Sequence, residues 1–485
     1  MNKFFNLQKL AHSTVRKYLL PASLLANMAG VCMPSAQAAA AVALTSGISH
    51  NCALTTAGGA MCWGYNFNGQ LGTNNQTNSS QPINVVGLTS GVTAIAAGQY
   101  HTCALIADGT VKCWGSGGNG QLGLGAGNLN NRYYPTTVPG LTGVAAIAAG
   151  YSRTCAVMAT GNAKCWGNGA MGDGTGGATN PTLHDVIGVT GVVAIAVGMN
   201  HTCALTNAKI VQCWGNNNLG QLGNNTTTAA TTRVNVSGLT DAVAISAGQD
   251  HTCAKTSAGA VLCWGANTVG QIGNGSNTNV LVPTPVTGLS SGVTALATSN
   301  FGSSSCAVLA SGTTKCWGSN LSGKLGNGNT ANQNTPVSVT GLAGNANAII
   351  LNQSSACAQI QASVQCWGDN TYGQIGMGST TQIPFPVNVI GLAGTAPPGI
   401  PAPISPVTSN TPTYTWKAMP GATAYRLNVN GSISTYTAAA AACDGGIGLC
   451  KITGTTLTPG AYTWYIQGFN DYGSSVWSAG TSFTL

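Results

Sequence analysis

The tripeptide Cys-Trp-Gly occurs seven times, with Trp63, Trp114, Trp166, Trp214, Trp264, Trp317 and Trp367 at its centre, at intervals of 48 to 53 residues. A fixed period of about 50 residues marks a repeat architecture and constrains the fold more than any local propensity. Each unit carries a second Cys upstream, usually in His-Thr-Cys-Ala-Leu or a variant. A Gly-rich run follows, such as Asn66-Phe-Asn-Gly-Gln-Leu-Gly72 or Asn218-Leu-Gly-Gln-Leu-Gly223. Next come a Pro-Val-type strand, a Gly-Leu, and an alternating strand such as Val92-Thr-Ala-Ile-Ala-Ala-Gly98. Each unit therefore reads as four short strands joined by Gly-rich turns. Seven such units predict an all-β chain whose main body, 39–392, is a seven-bladed β-propeller. An open solenoid would need capping repeats, and the sequence has none. The last unit ends with a strand at 386–390, which the first unit lacks before Ala41. That last strand is expected to complete the first blade and close the ring.

Composition excludes other classes. Only 5% of residues are charged, and all eight acids are Asp, so the Glu/Lys/Leu stripes of a helical bundle are absent. Lys and Arg total 16 and are scattered, which gives no basic face for nucleic acid. At the N-terminus, Lys3, Lys9, Arg16 and Lys17 precede an apolar stretch at 18–33 and Ala36-Gln37-Ala38. This is the pattern of a signal peptide over 1–38, with cleavage after Ala38. Export follows as an expectation, to the periplasm, cell surface or medium, with no membrane span after cleavage.

The pattern Gly-x-x-His-Thr-x-Ala-Leu followed by Trp-Gly-x-Asn-x-x-Gly-Gln-Leu-Gly resembles the regulator-of-chromosome-condensation repeat family over about 41–392. Unit three departs most, with Asn168-Gly-Ala-Met-Gly172 in place of the longer run, and units six and seven lack the His. The resemblance implies a seven-bladed propeller. The family's nuclear member is a nucleotide-exchange factor for a small GTPase, whereas some secreted bacterial members look like protein-binding scaffolds. An exported chain would not meet a nuclear GTPase, so exchange activity is not expected.

After Leu392 the composition shifts. Residues 393–412 form a Pro-rich linker. Residues 413–485 contain Tyr414-Thr-Trp416, Ala424-Tyr-Arg-Leu-Asn-Val429 and Ala461-Tyr-Thr-Trp-Tyr-Ile-Gln467, which alternate like strands of a small β-sandwich. This stretch resembles fibronectin type III modules through Tyr425-Arg-Leu and Tyr472-Gly-Ser-Ser-Val-Trp-Ser478.

Removing the leader removes Cys32 and leaves 16 Cys. In the second unit, Cys103 and Cys113 are symmetric about Asp108. A turn with Gly109 in the left-handed position places them on a non-hydrogen-bonded pair, where Cα atoms approach to about 4.5 Å. Disulfides are thus expected to join Cys52 to Cys62, Cys103 to Cys113, Cys155 to Cys165, Cys203 to Cys213, Cys253 to Cys263, Cys306 to Cys316 and Cys357 to Cys366, with Cys443 and Cys450 as an eighth pair. Zinc is disfavoured, because the pairs lack the short Cys spacing of structural sites. No metal or other cofactor is expected.

His50, His101, His201 and His251 recur at one repeat position, where the other units have Arg153, Ser304 and Ser355. They read as strand-start residues satisfying a turn. The eight Asp occupy dissimilar positions, so a carboxylate pair for hydrolysis is not evident. No catalytic residue is assigned, and the chain reads as a non-enzyme. The Trp of each Cys-Trp-Gly is expected to pack between blades.

Strand order places the Gly-x-x-His loops and the long Gly-Gln-Leu-Gly loops on one face. That face carries Tyr65, Phe67, Tyr100, Tyr151, Asn200, Asp250, Phe301 and Tyr372 as candidate binding residues, because aromatic side chains on loops of a rigid scaffold make good anchors. The function expected is that of an exported interaction protein with a protein partner. The alternatives are a carbohydrate-binding or polysaccharide-degrading envelope protein with a cell-surface glycan as ligand, and a purely structural surface protein.

Overall fold

The structure, a computed structural model, describes residues 40–392 apart from 178, and in the C-terminal part the strands between 412 and 484 with short adjoining segments. The expected leader at 1–38, all but the last residue of the expected linker at 393–412, and Cys443 lie outside the described residues. The regular secondary structure of the described residues is almost entirely β, and 41–388 forms seven four-stranded antiparallel sheets, each built from four consecutive strands. In the second sheet these are Val92–Ala97, His101–Ile106, Val111–Gly115 and Arg132–Thr137.

The inner strands of all seven sheets line a central channel of about 300 Å³. The second strand is buried on both sides between neighbouring sheets, which explains its continuous run of small and apolar residues. The outer strand is half exposed, and Pro82, Pro135, Pro181, Pro283, Pro336 and Pro384 stand on it. Proline withholds a donor from an open sheet edge and so discourages further pairing.

The expected strand exchange does not occur. The last strand, Ile383–Asn388, pairs with Ser363–Gly368 of its own sheet, and the first sheet has its own outer strand, Ser79–Asn84. The first unit begins with a complete inner strand, Ala41–Ser46, so no place is left for a strand from the end. The ring closes instead by contact between the seventh and first sheets. Ala41 N donates to Ala362 O at 3.1 Å, and Ser46 Oγ donates to Leu351 O at 3.0 Å.

The cysteines meet as the hairpin geometry requires. Ile106 N donates to Thr110 O, and Gly109 has φ +80°. Cys103 then faces Cys113 with Cα atoms 4.1 Å apart. Every other sheet repeats the arrangement. Cys52 is bonded to Cys62, Cys155 to Cys165 and Cys203 to Cys213. Cys253 is bonded to Cys263, Cys306 to Cys316 and Cys357 to Cys366. All seven within-sheet disulfides are the expected pairs. Lys209 and Gln361 stand in the turns of units four and seven at φ +62° and +55°. Cys450 is also disulfide-bonded, while its expected partner Cys443 falls outside the described residues.

One polar device repeats between sheets. The carbonyl of Gln70 accepts the indole N–H of Trp114 and the hydroxyl of Thr102, both from the next sheet and both at 2.9 Å. Gln121 does the same for Trp166 and Thr154, Gln221 for Trp264 and Thr252, and Gln271 for Trp317 and Ser305. At the ring closure, Gln374 O accepts Trp63 Nε1 and Asn51 Nδ2. Each tryptophan also packs into the apolar cluster of the preceding sheet, as Trp114 does with Leu71, Val85 and Leu88. In unit three Asn168-Gly-Ala-Met-Gly172 replaces the longer run, and Trp214 Nε1 has no hydrogen-bond partner among the described residues.

The histidines do not serve their own turns. Nε2 of His50, His101 and His201 lies 2.8–3.0 Å from the hydroxyl of Thr102, Thr154 and Thr252 on the next sheet, and His251 meets Ser305. Where that hydroxyl donates to the Gln carbonyl, its oxygen must accept from Nε2–H. The imidazoles are therefore neutral, with Nδ1 buried and unpartnered. Burial pushes each of the four down to about 3. A Cβ on Gly98 would collide with the His101 ring and with Gly150 O, so glycine is required beside the imidazole.

In the C-terminal part, Thr413–Lys417 pairs with Leu449–Thr453, and Ala424–Val429 lies between Ser432–Thr437 and Ala461–Asn470. Tyr414, Trp416, Tyr425, Leu427, Cys450, Trp464 and Ile466 from these two sheets share one buried core, as in a small sandwich. Among the described residues no helix is long and apolar enough to cross a membrane.

Candidate binding face

The long loops are pinned from within by one buried asparagine in each of five units. Asn66 Oδ1 accepts Leu71 N at 2.9 Å, and its Nδ2 donates to Asn75 O and Thr77 O. Asn217, Asn267, Asn320 and Asn370 repeat the pattern, each accepting an N–H five residues on. The following glutamine side chain adds a second tie, as Gln70 Oε1 accepts Asn68 N. Read from sequence, these runs are glycine turns, and neither amide stands out as functional. The signal for both is the fixed spacing of Asn four residues before Gln.

On this frame, aromatic side chains from the seventh, first and second sheets converge. The Tyr65 ring lies 4.8 Å from Tyr372, 5.9 Å from Tyr100 and 6.5 Å from Phe67, measured between centroids. These are distances of direct aromatic packing. Burial raises the pKa of the Tyr65 hydroxyl, and Tyr100 and Tyr372 raise it further. Tyr100 is raised by burial and by Tyr151 and Tyr372. Both raised phenols are neutral at physiological pH. Phe67 is 65% exposed and Tyr372 38%, so the cluster is also a surface.

The other candidates lie elsewhere. Asn200 is exposed on the fourth sheet's loop, and Asp250 is half-buried on the fifth. Burial raises Asp250 above the usual carboxylate range, against a hydrogen bond from Gln249. Phe301 is buried and contributes packing, not surface. It sits in a loop two residues longer than its counterparts, whose Asn300 Nδ2 reaches Ala149 O on the third sheet at 3.3 Å. Among the described residues, no group of three or more His, Cys, Asp or Glu could hold a metal ion.

Two descriptions of the regulator of chromosome condensation (RCC1) repeat match the chain, one at 41–70, 92–121, 144–173, 192–221 and 242–271, the other at 58–105, 108–157, 211–254, 258–308 and 312–353. The chain belongs to the RCC1 repeat family. The RCC1 domain-containing protein RUG3 of Arabidopsis thaliana is 38% identical over 119 residues, which are 24% of this chain and 26% of that protein. The ultraviolet-B receptor UVR8 of Arabidopsis thaliana is 30% identical over 151 residues, 30% of this chain and 34% of the receptor. The matches thus span about a third or less of these relatives. Among solved structures, Prp20p of Saccharomyces cerevisiae superposes with a TM-score of 0.61 at 18% identity, covering 73% of this chain and 88% of Prp20p. Human WBSCR16 gives a TM-score of 0.61 at 20% identity, covering 70% and 95%. At such identities the likeness shows the fold: an RCC1-type β-propeller.

Proposed function

We propose that this RCC1-repeat protein is an exported, non-enzymatic interaction protein that binds a protein partner through its long-loop face. The observation that carries this reading is the cluster of Tyr65, Phe67, Tyr100 and Tyr372 on loops already ordered by buried amides and disulfides. Binding by such a surface loses little conformational entropy, and aromatic anchors concentrate binding energy. Prp20p, which shares the fold, binds Gsp1p and histones, so protein recognition is in keeping with the architecture. Seven disulfides in one chain belong to an oxidising environment, which supports export and the reading of 1–38 as a leader.

The test is affinity capture from envelope and secreted fractions with the oxidised protein, beside a second bait carrying Tyr65→Ala, Phe67→Ala, Tyr100→Ala and Tyr151→Ala. A protein held by the first bait and lost by the second is the expected result. Equal capture by both baits, or capture of a glycan and no protein, would reject the reading.

A further inference from the structure

Charge is distributed unequally between the two ends of the propeller. Strand direction places Lys112, Lys164, Lys209, Arg233, Lys255 and Lys315 toward the short-turn end, with Asp108, Asp185 and Asp241. The loop end holds Asp173, Asp250 and Asp369. Its bases are Arg132, Arg153 and Lys324, and two of these are consumed internally. Arg153 is buried, with Nε donating to Asn168 O and an Nη to Thr202 Oγ1. Lys324 is buried, with Nζ donating to Gln353 O at 2.7 Å. Asp173 is likewise consumed, its Oδ2 pairing with His184 Nδ1 at 2.7 Å and its side chain only 12% exposed, and Asp250 is half-buried. Solvent at the loop end therefore meets Asp369, part of Asp250 and the Arg132 guanidinium, whereas bases outnumber acids at the short-turn end.

The tyrosine patch sits at the loop end. The loops that build it, at 65–78, 98–100, 150–152 and 369–382, contain no Lys or Arg. They do contain Asp369, at the repeat position that Tyr65 occupies in the first unit and three residues from Tyr372. Its carboxylate is held in place, with Oδ1 accepting Thr371 N and Oγ1, and Oδ2 accepting Gln374 Nε2. A carboxylate on the same loop as the Tyr372 ring attracts a cation by Coulomb force, and the tilted rings attract it through their quadrupoles.

We propose that the partner element seated on this patch is cationic, an arginine-bearing segment of a protein held over the rings of Tyr65, Tyr100 and Tyr372. This deepens the proposed function and rests on its assignment of the loop face. An uncharged apolar segment would leave the Asp369 carboxylate, whose present partners are all neutral donors, without a counter-charge. An acidic segment would be repelled by Asp369 and would meet no Lys or Arg on these loops.

The experiment is fluorescence anisotropy of a labelled Arg-Gly repeat peptide with the oxidised full chain, beside the same peptide with citrulline in place of arginine. Citrulline keeps the shape and removes the charge. The arginine peptide is expected to bind about tenfold more tightly than its citrulline counterpart, and to weaken as salt is raised. Tyr65→Phe should bind within about threefold of wild type, and Tyr65→Leu about tenfold more weakly, because leucine is apolar but has no ring. Equal affinity for the two peptides, equal affinity of the leucine and phenylalanine variants, or no binding of the arginine peptide would overturn the inference. The two readings fail separately. If capture depends on the tyrosines but the peptides do not differ, the face is right and the cation is wrong. If capture ignores the tyrosines, the face itself is wrong.

Discussion

Lys324 stands where five other units carry a glutamine, and the difference has a thermodynamic consequence. Its carbonyl does the work of the glutamine carbonyl, accepting Trp367 Nε1 at 2.9 Å, but its ammonium is buried on a single backbone acceptor. Burial lowers its pKa from 10.5 to about 7. Between these values the unfolded chain binds the proton and the folded chain does not, so the penalty is complete below about 7 and fades as pH rises toward 10.5. Lys324→Gln should therefore stabilise the protein by roughly 1–2 kcal/mol near neutral pH, with a smaller gain at about pH 10. The new side chain would also offer the acceptor that Gln70, Gln121, Gln221, Gln271 and Gln374 give to the N–H two residues earlier. Urea midpoints of wild type and variant at the two pH values check this, and a gain that grows with pH would contradict it.

Within a sheet, most of the structure was legible because the interactions are local. Gly109 and the residues flanking Asp108 dictate the turn, the turn dictates register, and register places Cys103 against Cys113. Each disulfide closes a loop of about ten residues, and removing one should cost about 2.5–3 kcal/mol by chain entropy alone. Replacing Cys103 and Cys113 together by Ala, with chemical denaturation under non-reducing conditions, measures it; a change below about 0.5 kcal/mol would mean that the unfolded chain is not the state constrained. What joins one sheet to the next was not legible. Thr102 meets Gln70 and His50 only after units some 50 residues apart are stacked, and no spacing within a unit encodes that meeting. The aromatic residues of the loop face were visible as residues. Their convergence on Tyr65 was not, because Tyr372 reaches it only through ring closure.

At the scale of the whole molecule, the ring depends on interfaces that exclude protons. Four of them carry a neutral imidazole, bonded to the next sheet through Nε2 and with no acceptor for a proton on Nδ1. Acid unfolding of an ordinary domain is driven mainly by paired carboxylates. With eight Asp and no Glu in 485 residues, that contribution is small here and the imidazoles dominate. Their folded pKa near 3 lies below the ordinary 6.5, so unfolding takes up protons throughout that window. The imidazole contribution to stability should be full above about 6.5 and fall as pH drops toward 3, by at most about 1.4 kcal/mol per pH unit for each imidazole. Urea midpoints measured from pH 7 down to about pH 4 should decline steeply. His101→Gln should flatten the slope by about a quarter, since one of the four imidazoles is removed while an amide N–H remains to meet Thr154. A flat profile in wild type, or an unchanged slope in the variant, would show that the interfaces admit a charged imidazole. In that case the sheets are not locked through neutral histidine, and the ring must owe its acid stability to the indole–carbonyl bonds and the disulfides alone.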